Sequence, residues 1–357
     1  MTQRDFSNAE QGFSLLETIV AITVMTVILG AVFALMRDSA KTSKASMEMS
    51  DGQQSSRTAQ EYINRDLMNA GDGLNSISNI RVPQNFVTNY LTLNPVTDPA
   101  TPGFINLPLI TSDNDVPANT LVTGTAPVET VRDTPALTDR ITILQMDHSF
   151  VPITLDADDI DPATGVVAVS PADIDRFQVG EIYFITSAAA SIFATITDRQ
   201  GMGTPAPFLV FAGDALGLNS VGAGGQLDVV SAGGTLPTSL SRMRMIHYYI
   251  NSNGLLMRRV FGVRGAPFFE SVVAEHVVSL QFRYFLNMRD LNGNVKQPQT
   301  QLTTSQEQVE TRQVETTLTV ETVHKLQHGQ RQLMSMTTST SVRNMQFRQS
   351  LQPGAGG

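Results

Sequence analysis

Cysteine is absent from this sequence of 357 residues. The chain can therefore form neither a disulfide nor a thiolate metal site, and cysteine redox chemistry is excluded. Basic residues are also few, because 24 lysines and arginines stand against 33 acidic residues and give a net charge of −9. A phosphate-binding surface needs clustered cations, so we expect no nucleic acid among the main ligands. The hydrophobic content of 41% is typical of a folded chain, which must be held together by packing.

Catalytic signatures are missing as well. The sequence contains no G-x-S-x-G turn, no P-loop and no H-E-x-x-H pair. Gly222, Gly224 and Gly225 do not lie between a strand and a helix, so they indicate a loop rather than a nucleotide cradle. We expect neither an enzymatic activity nor a cofactor.

Two polar clusters could hold a metal ion. The first is a run of aspartates before Pro162: Asp156, Asp158, Asp159 and Asp161. Calcium prefers such oxygen-rich loops, but the spacing differs from an EF-hand loop, so a solvated acidic turn is favoured and calcium is the alternative. The second cluster is His324 with His328, four residues apart. They follow an alternating strand rather than a helix, which favours solvated loop histidines over a metal pair.

One long apolar run lies near the N-terminus. It follows Gly12, ends at Met36 and has roughly 24 residues, enough for a helix to cross a hydrocarbon core of about 30 Å. No second run approaches this length, so we expect the rest of the chain to lie on one side of a bilayer. Glu17 interrupts the run. A carboxylate at such a depth costs about 2.5–3.5 kcal/mol, so a functional role is the default expectation.

The junction between Gly12 and Phe13, with Glu17 as the fifth residue from Phe13, resembles the class III signal of type IV pilins and type II secretion pseudopilins. In that family a prepilin peptidase cuts after the glycine and methylates the new amine, and the glutamate pairs with the amine of a neighbouring subunit. The resemblance implies cleavage between Gly12 and Phe13, N-methylation of Phe13 and charge pairing by Glu17. Such a pair removes the desolvation penalty from both charges and favours a fixed stagger between subunits.

A plain signal anchor or a secretory signal is the alternative interpretation of the apolar run. A signal peptidase site would show an A-x-A pattern after the run, and none occurs between Ala31 and Ala45. The leader carries only Arg4 against Asp5 and Glu10. Basic residues follow the run instead: Arg37, Lys41 and Lys44. The positive-inside rule thus gives no support for an inward N-terminus, and that orientation is implied by the resemblance alone.

The helix is predicted to continue well beyond the apolar run. No proline occurs from Arg37 to Ala70, and apolar residues recur at four-residue spacing: Ala59, Ile63 and Leu67. Gly71 and Gly73 supply the stop signal. Residues 63–71 also resemble the D-L-x-x-A-G end of the first helix in PilW-type minor pilins and the larger pseudopilins.

Proline and polar residues dominate residues 72–138, which predicts irregular loops with a few short strands. Alternating apolar residues, flanked by turn signals such as Asn253-Gly254, predict strands from residue 139 onward. The expected strands are Arg140–Met146, Phe177–Thr186, Ser191–Thr197, Arg242–Ile250, Leu255–Phe261, Val278–Tyr284 and Val314–Val320. Residues 273–284 and the V-R-N run at 342–344 resemble segments of PilW-type proteins.

These observations predict an α+β fold of the pilin type, shaped like a lollipop, with a long helix packed on an antiparallel sheet. The expected segments are a leader (1–12), a transmembrane half-helix (13–36), an amphipathic half-helix (37–71), a loop-rich variable region (72–138), an inserted β-rich region (139–240), a C-terminal antiparallel sheet (241–350) and a tail (351–357).

The resemblance implies a structural subunit, closest to PilW-type minor pilins of a type IV pilus, near the filament tip. The implied partners are a prepilin peptidase, the major pilin and other minor pilins, the inner-membrane assembly platform, and the membrane before assembly. The chain would cross the bacterial inner membrane once, with a periplasmic domain, and then enter an extracellular pilus. A pseudopilin of a type II secretion system, a filament-displayed adhesin and a membrane-anchored enzyme are the alternatives.

Overall fold

The computed structural model describes residues 14–74, 80–91, 103–117, 137–232, 237–251, 253–289, 293–324 and 331–342. A long N-terminal helix is followed by largely antiparallel β structure, which confirms the α+β class. The chain divides into two compact units. The first comprises Met1–Asp51 with Thr322–Gln332, and the second comprises Gly52–Glu321 with Leu333–Gly357.

The helices of the described residues are α1 (Leu15–Met68), α2 (Gln84–Tyr90), α3 (Gln226–Ser231) and α4 (Ser305–Glu310). The strands are β1 (Ile80–Pro83), β2 (Phe104–Leu107), β3 (Ile110–Pro117), β4 (Leu137–Met146), β5 (Ile153–Leu155), β6 (Ile160–Asp161), β7 (Val166–Ala168), β8 (Ile182–Thr186), β9 (Ser191–Thr195), β10 (Asp198–Gln200), β11 (Phe208–Val210), β12 (Thr238–Ile250), β13 (Leu256–Val263), β14 (Ala266–Ala274), β15 (Val277–Leu286), β16 (Thr311–Glu321) and β17 (Leu333–Ser341).

Helix α1 has 54 residues, a length of about 80 Å at the usual rise per residue. It ends where the sequence predicts, because Gly71 and Gly73 both adopt a φ of 71°, which a side chain would disfavour. The N–H of Gly71 donates to the carbonyl of Leu144 over 2.8 Å, so the chain leaves the helix directly onto β4.

The largest sheet has ten strands, in the order β14-β13-β12-β8-β9-β1-β2, with β4 and β5 paired to β12 and β3 paired to β4. Its pairs are antiparallel except for β1 with β9. Strand β12 is central because it pairs with β8 through Ser239–Met243 and with β4 through Met243–Tyr248. Residue 240, the predicted boundary between the inserted β-rich region and the C-terminal sheet, lies within β12. Strands from both sides of that position share one sheet.

Two smaller sheets complete the β structure. One has the order β10-β11-β7-β6, and the other has the order β15-β16-β17. Strands β8 and β9 are buried on both faces: Ile182 and Phe184 belong to the core of the large sheet, whereas Tyr183 and Ile185 belong to a second core that includes Leu209. These two strands therefore form the wall between two hydrophobic cores.

The second half of α1 packs against the sheet β15-β16-β17. Ala59, Ile63 and Leu67 are fully buried, as the four-residue spacing predicts. Gly52 lies against the same sheet, and a Cβ there would make an ordinary van der Waals contact with Val320 at 3.5 Å. The side-chain amide of Gln60 donates to the carbonyl of Met336 over 2.7 Å and ties the helix to β17.

The proline-rich region contains β1, α2, β2 and β3 among its described residues, which agrees with the predicted short strands. Helix α2 is not predicted by the sequence pattern. It follows Pro83 directly and buries Phe86 and Val87 in the main core. Aromatic contacts hold the helix against β13, since Phe86 lies edge-on to Phe261 with ring centroids 5.7 Å apart.

Candidate functional site

The first turn of α1 carries Glu17. Gly12 and Phe13 lie outside the described residues. Ser14 precedes the helix, and its hydroxyl accepts a hydrogen bond from the N–H of Leu16 over 3.3 Å. Ser14 thus acts as an N-cap, three residues before a glutamate, which is the spacing of a capping box. The positive end of the helix dipole interacts favourably with the carboxylate of Glu17. The sequence reasoning missed Ser14, although the S-x-x-E pattern could have identified it.

The apolar half of α1 has no cover from the rest of the described chain. Every residue from Leu15 to Lys44 is exposed, and even Phe33 exposes 68% of its surface. By length and composition, this is the one helix among the described residues that could cross a membrane. Exposed apolar surface of this extent is unstable in water. The segment therefore needs lipid or neighbouring helices around it.

Three threonines within the apolar segment satisfy their own hydroxyls. Thr18, Thr23 and Thr26 donate to the carbonyls four residues earlier, over 3.4, 2.8 and 2.7 Å. In an apolar medium such internal bonds remove most of the cost of a hydroxyl. Glu17 is the only ionisable side chain between Leu15 and Met36. None of the described basic side chains forms an ion pair with it.

Comparison with known proteins bears on the same segment. A family model described as the prokaryotic N-terminal methylation motif matches residues 7–33, which include Gly12, Phe13 and Glu17. No curated protein matches the chain. The match supports a subunit of the pilin or pseudopilin type, anchored in a membrane by its N-terminal helix. The motif implies processing by a prepilin peptidase and assembly with other pilins.

The four aspartates before Pro162 lie along a short 3₁₀ helix (Ala157–Asp159) and β6, and two of their carboxylates accept local hydrogen bonds. Asp159 accepts from the N–H of Asp156 over 2.9 Å, and Asp161 accepts from Ala163 and Thr164 over 3.1 and 2.5 Å. Within the part of the chain that the structure describes, no three histidine or acidic side chains are placed to hold a metal ion. The geometry therefore gives the calcium alternative no support.

Of the two spaced histidines, His328 lies outside the described residues. His324 contacts α1 instead of pointing into solvent alone. Its Nδ1 and its backbone N–H both contact the carboxylate of Glu48, the latter over 3.1 Å, and its Nε2 lies 3.0 Å from Nζ of Lys44. Because the ammonium of Lys44 can only donate, Nε2 accepts and Nδ1 carries the proton that Glu48 accepts.

A buried charge pair fixes the end of α1 to the main sheet. Asp66 exposes 3% of its side chain and accepts hydrogen bonds from Tyr248 over 2.6 Å and from Nε of Arg258 over 2.8 Å. Burial raises the pKa of the Tyr248 phenol, and Asp66 raises it further. The phenol thus stays a donor, and both partners donate to the same oxygen, Oδ2, of a carboxylate removed from water.

We expect Asp66→Asn to lower the free energy of unfolding by about 3 kcal/mol, because it leaves the largely buried guanidinium of Arg258 without its counter-ion. Urea unfolding of the full chain in detergent, followed by circular dichroism, measures this change. Glu61→Gln is the matched control, since Glu61 is exposed on the same helix and its loss should cost less than about 0.5 kcal/mol. Equal effects of the two substitutions would contradict the role of Asp66.

A second buried carboxyl, Asp139 on β4, joins three strands. One oxygen accepts from the N–H of Phe282 on β15 over 2.6 Å, and the other accepts from the N–H of Asp115 on β3 over 3.0 Å. Asp115 adopts a φ of 54°, where the β3–β4 register shifts. Burial raises the pKa of Asp139 to about 6, although the two N–H donors favour the charged form.

Asp139 should make stability fall as the pH rises. Its pKa of about 6 in the folded chain exceeds the ordinary value of about 3.9, so the folded chain binds this proton more tightly. The free energy of unfolding of the wild type, minus that of Asp139→Asn, should therefore fall by at most about 3 kcal/mol between about pH 4 and pH 6, then level off. Urea unfolding across this range measures the difference, and a flat curve would contradict it.

Glu307 provides a control of opposite sign. Burial alone would raise its pKa, but hydrogen bonds from Lys296 and Thr303 lower it to about 2. Its contribution to stability is therefore present above its ordinary pKa and lost as the pH falls toward 2. Glu307→Gln should destabilise the chain at neutral pH and have little effect near pH 2.

A cleft of about 240 Å³ lies among four loops of the second unit, beside Gly180, Thr197, Asp214 and Gly265. Its acidic side chain is engaged locally, because Asp214 accepts from the N–H groups of Leu216 and Asn219 over 3.0 and 2.7 Å. Much of the remaining lining is glycine and apolar. This arrangement brings no nucleophile and base together, and the cleft indicates no reaction.

Proposed function

We propose that this chain is a PilW-type minor pilin, a structural subunit rather than an enzyme. A prepilin peptidase would cut it between Gly12 and Phe13 and methylate the amine of Phe13. The mature subunit would enter or prime a type IV pilus near its tip. The observation that supports this most directly is the carboxylate of Glu17, without a counter-ion among the described residues, at the head of an exposed apolar helix.

Two steps follow for α1. Before assembly its apolar half lies in the inner membrane, where the backbone and the three threonines are satisfied internally. On assembly, lipid is replaced by helices of the major pilin and other minor pilins, a medium of similar polarity, so transfer costs little hydrophobic energy. The assembly platform of the inner membrane would drive this transfer, and the second unit would pass from periplasm to extracellular pilus.

Glu17 gives this transfer its direction. In lipid its carboxylate is costly, whereas beside the ammonium of Phe13 of a neighbouring subunit both charges are compensated. A subunit is therefore stabilised in the filament relative to the membrane. Because the pair can form at only one axial offset, it also sets the register between neighbouring helices.

A minor pseudopilin of a type II secretion system is the second candidate. The N-terminal signal resembles that of pilins and of pseudopilins alike, so the matched motif does not separate the two classes. The two candidates can be distinguished in cells that lack either the pilus motor or the secretion motor. We expect the protein in sheared pilus fractions only when the pilus motor is present. Dependence on the secretion motor alone would assign it to the secretion system.

A further inference from the structure

Three basic side chains follow the apolar run of α1 on one face of the helix. Arg37, Lys41 and Lys44, here named the basic stripe, are spaced by four and three residues, which aligns them along the axis. All three are exposed. At 1.5 Å per residue, Lys44 lies only about 12 Å beyond Met36, the last residue of the run. If the run fills the hydrocarbon core, the basic stripe lies at the depth of the lipid headgroups.

The described part of the loop that follows β16, residues 322–324, is fastened to the same face. Glu48 is four residues beyond Lys44, and His324 bonds to both. Burial alone would raise the pKa of Glu48, but the hydrogen bonds from His324 lower it overall, so the carboxylate stays a fixed acceptor. Val323, the preceding residue of the loop, exposes 43% of its surface. The loop thus adds an exposed apolar residue next to the basic stripe.

Lys44 keeps donors for a further ligand. Its ammonium has three N–H groups, and His324 can take one of them. Arg37 and Lys41 form no ion pair within the described residues. The basic stripe is a local exception in a chain whose net charge is −9. Such a site fits an anion that lies at the membrane surface.

The position of the basic stripe also runs against the usual distribution of charge around a membrane span. Cations are depleted on the translocated side, yet here they follow the span closely and the leader has only Arg4. An anionic ligand on the translocated side would offset this cost.

We propose that the basic stripe and residues 322–324 beside it bind anionic phospholipid headgroups at the periplasmic membrane surface before assembly. The inference rests on the membrane residence and orientation in the proposed function. A cation near an anionic surface strengthens association about fivefold. The site would hold α1 at a fixed depth and release it when the subunit leaves the bilayer.

The test uses the full chain in phosphatidylcholine bilayers that contain trace spin-labelled phosphatidylglycerol or spin-labelled phosphatidylcholine. Electron paramagnetic resonance gives the association constant of each lipid with the protein. We expect the wild type to prefer phosphatidylglycerol several-fold at low salt, and the preference to fall as salt screens it. A triple variant with Arg37→Gln, Lys41→Gln and Lys44→Gln should show a ratio near one.

Arg57→Gln is the matched control, because Arg57 is exposed on the same helix but lies about 30 Å beyond Met36. It should keep the wild-type preference. Glu48→Gln should accelerate hydrogen exchange at the amide of His324 and lower the preference partly, since residues 322–324 are released while the cations remain.

Equal association of both lipids with the wild type, or an unchanged preference in the triple variant, would overturn the inference. A triple variant that keeps its lipid preference and fails to enter filaments would assign the basic stripe to an acidic neighbouring subunit instead. N-terminal mass and carbonate-resistant membrane association, measured on the same preparations, separate these outcomes from a failure of the proposed function.

Discussion

A chain that carries Gly12→Glu is expected to keep residues 1–12 and to accumulate as a membrane-bound precursor. The resemblance to class III signals implies that Gly12 precedes the scissile bond, and glycine permits the closest approach of a backbone to another protein. A glutamate adds both bulk and charge next to that bond. Intact-mass spectrometry of the purified chain measures the result, which we expect to be complete loss of processing. The variant should also be absent from filaments, because no ammonium forms at Phe13.

The control for this substitution is Gln11→Glu. It introduces the same side chain one residue farther from the bond and should be processed like the wild type. Normal removal of the leader from Gly12→Glu would show that the cut lies elsewhere, and the assignment of Phe13 as the mature N-terminus would then be wrong.

Glu17→Val is expected to insert into the membrane at least as well as the wild type and to fail in assembly. Insertion improves because about 2.5–3.5 kcal/mol of cost is removed. Assembly fails because the ammonium of Phe13 in the neighbouring subunit is left unpaired in an apolar core, at a cost of about 3–5 kcal/mol. The amount in sheared filaments should therefore fall by more than about 100-fold, with membrane levels unchanged. Quantitative immunoblots of the two fractions measure both.

Thr18→Val is the matched control for Glu17→Val. It removes a polar group from the adjacent position without changing shape, and the lost hydroxyl donates to the carbonyl of Ser14, the residue just before the same helix. Filament incorporation should stay within about twofold of the wild type. Equal incorporation of Glu17→Val and Thr18→Val would remove the charge-pairing role from Glu17.

The end of α1 and the strands β15 and β16 can be predicted from the sequence because local residue patterns indicate them. Gly71 and Gly73 end α1 because each adopts a conformation that residues with a side chain disfavour. Strands β15 and β16 were predicted by alternation, and Leu280, Phe282, Val314 and Leu318 are buried. In each case the sequence signal that predicts the element lies within a few residues along the chain.

The remaining features depend on distant residues, which a local pattern does not identify. Asp66 and Arg258 form a buried ion pair across the fold, yet each alone resembles an ordinary surface charge in the sequence. Strand β8 is apolar on both faces because two cores meet there. Its apolar sequence indicates that both faces are buried, but not which residues cover each face. A period of two residues shows which face is covered but not by what.

The candidate site divides in the same way. Glu17 was predicted from the cost of a charge in an apolar run, and Ser14 could have been predicted from the capping spacing. The contact of His324 with Glu48 could not, because the alternating strand before it gives no indication that the following loop returns to α1. Gly180 is similar: a Cβ there would lie 2.9 Å from the carbonyl of Val263, a neighbour that only the fold brings close.

N-terminal and intact-mass analysis of the protein purified from its native membrane is the most direct measurement of the central claim. We expect a single species that begins with N-methylated Phe13 and contains Glu17 in its first turn. A native chain that still begins at Met1, or one cut after the apolar run, would contradict the account.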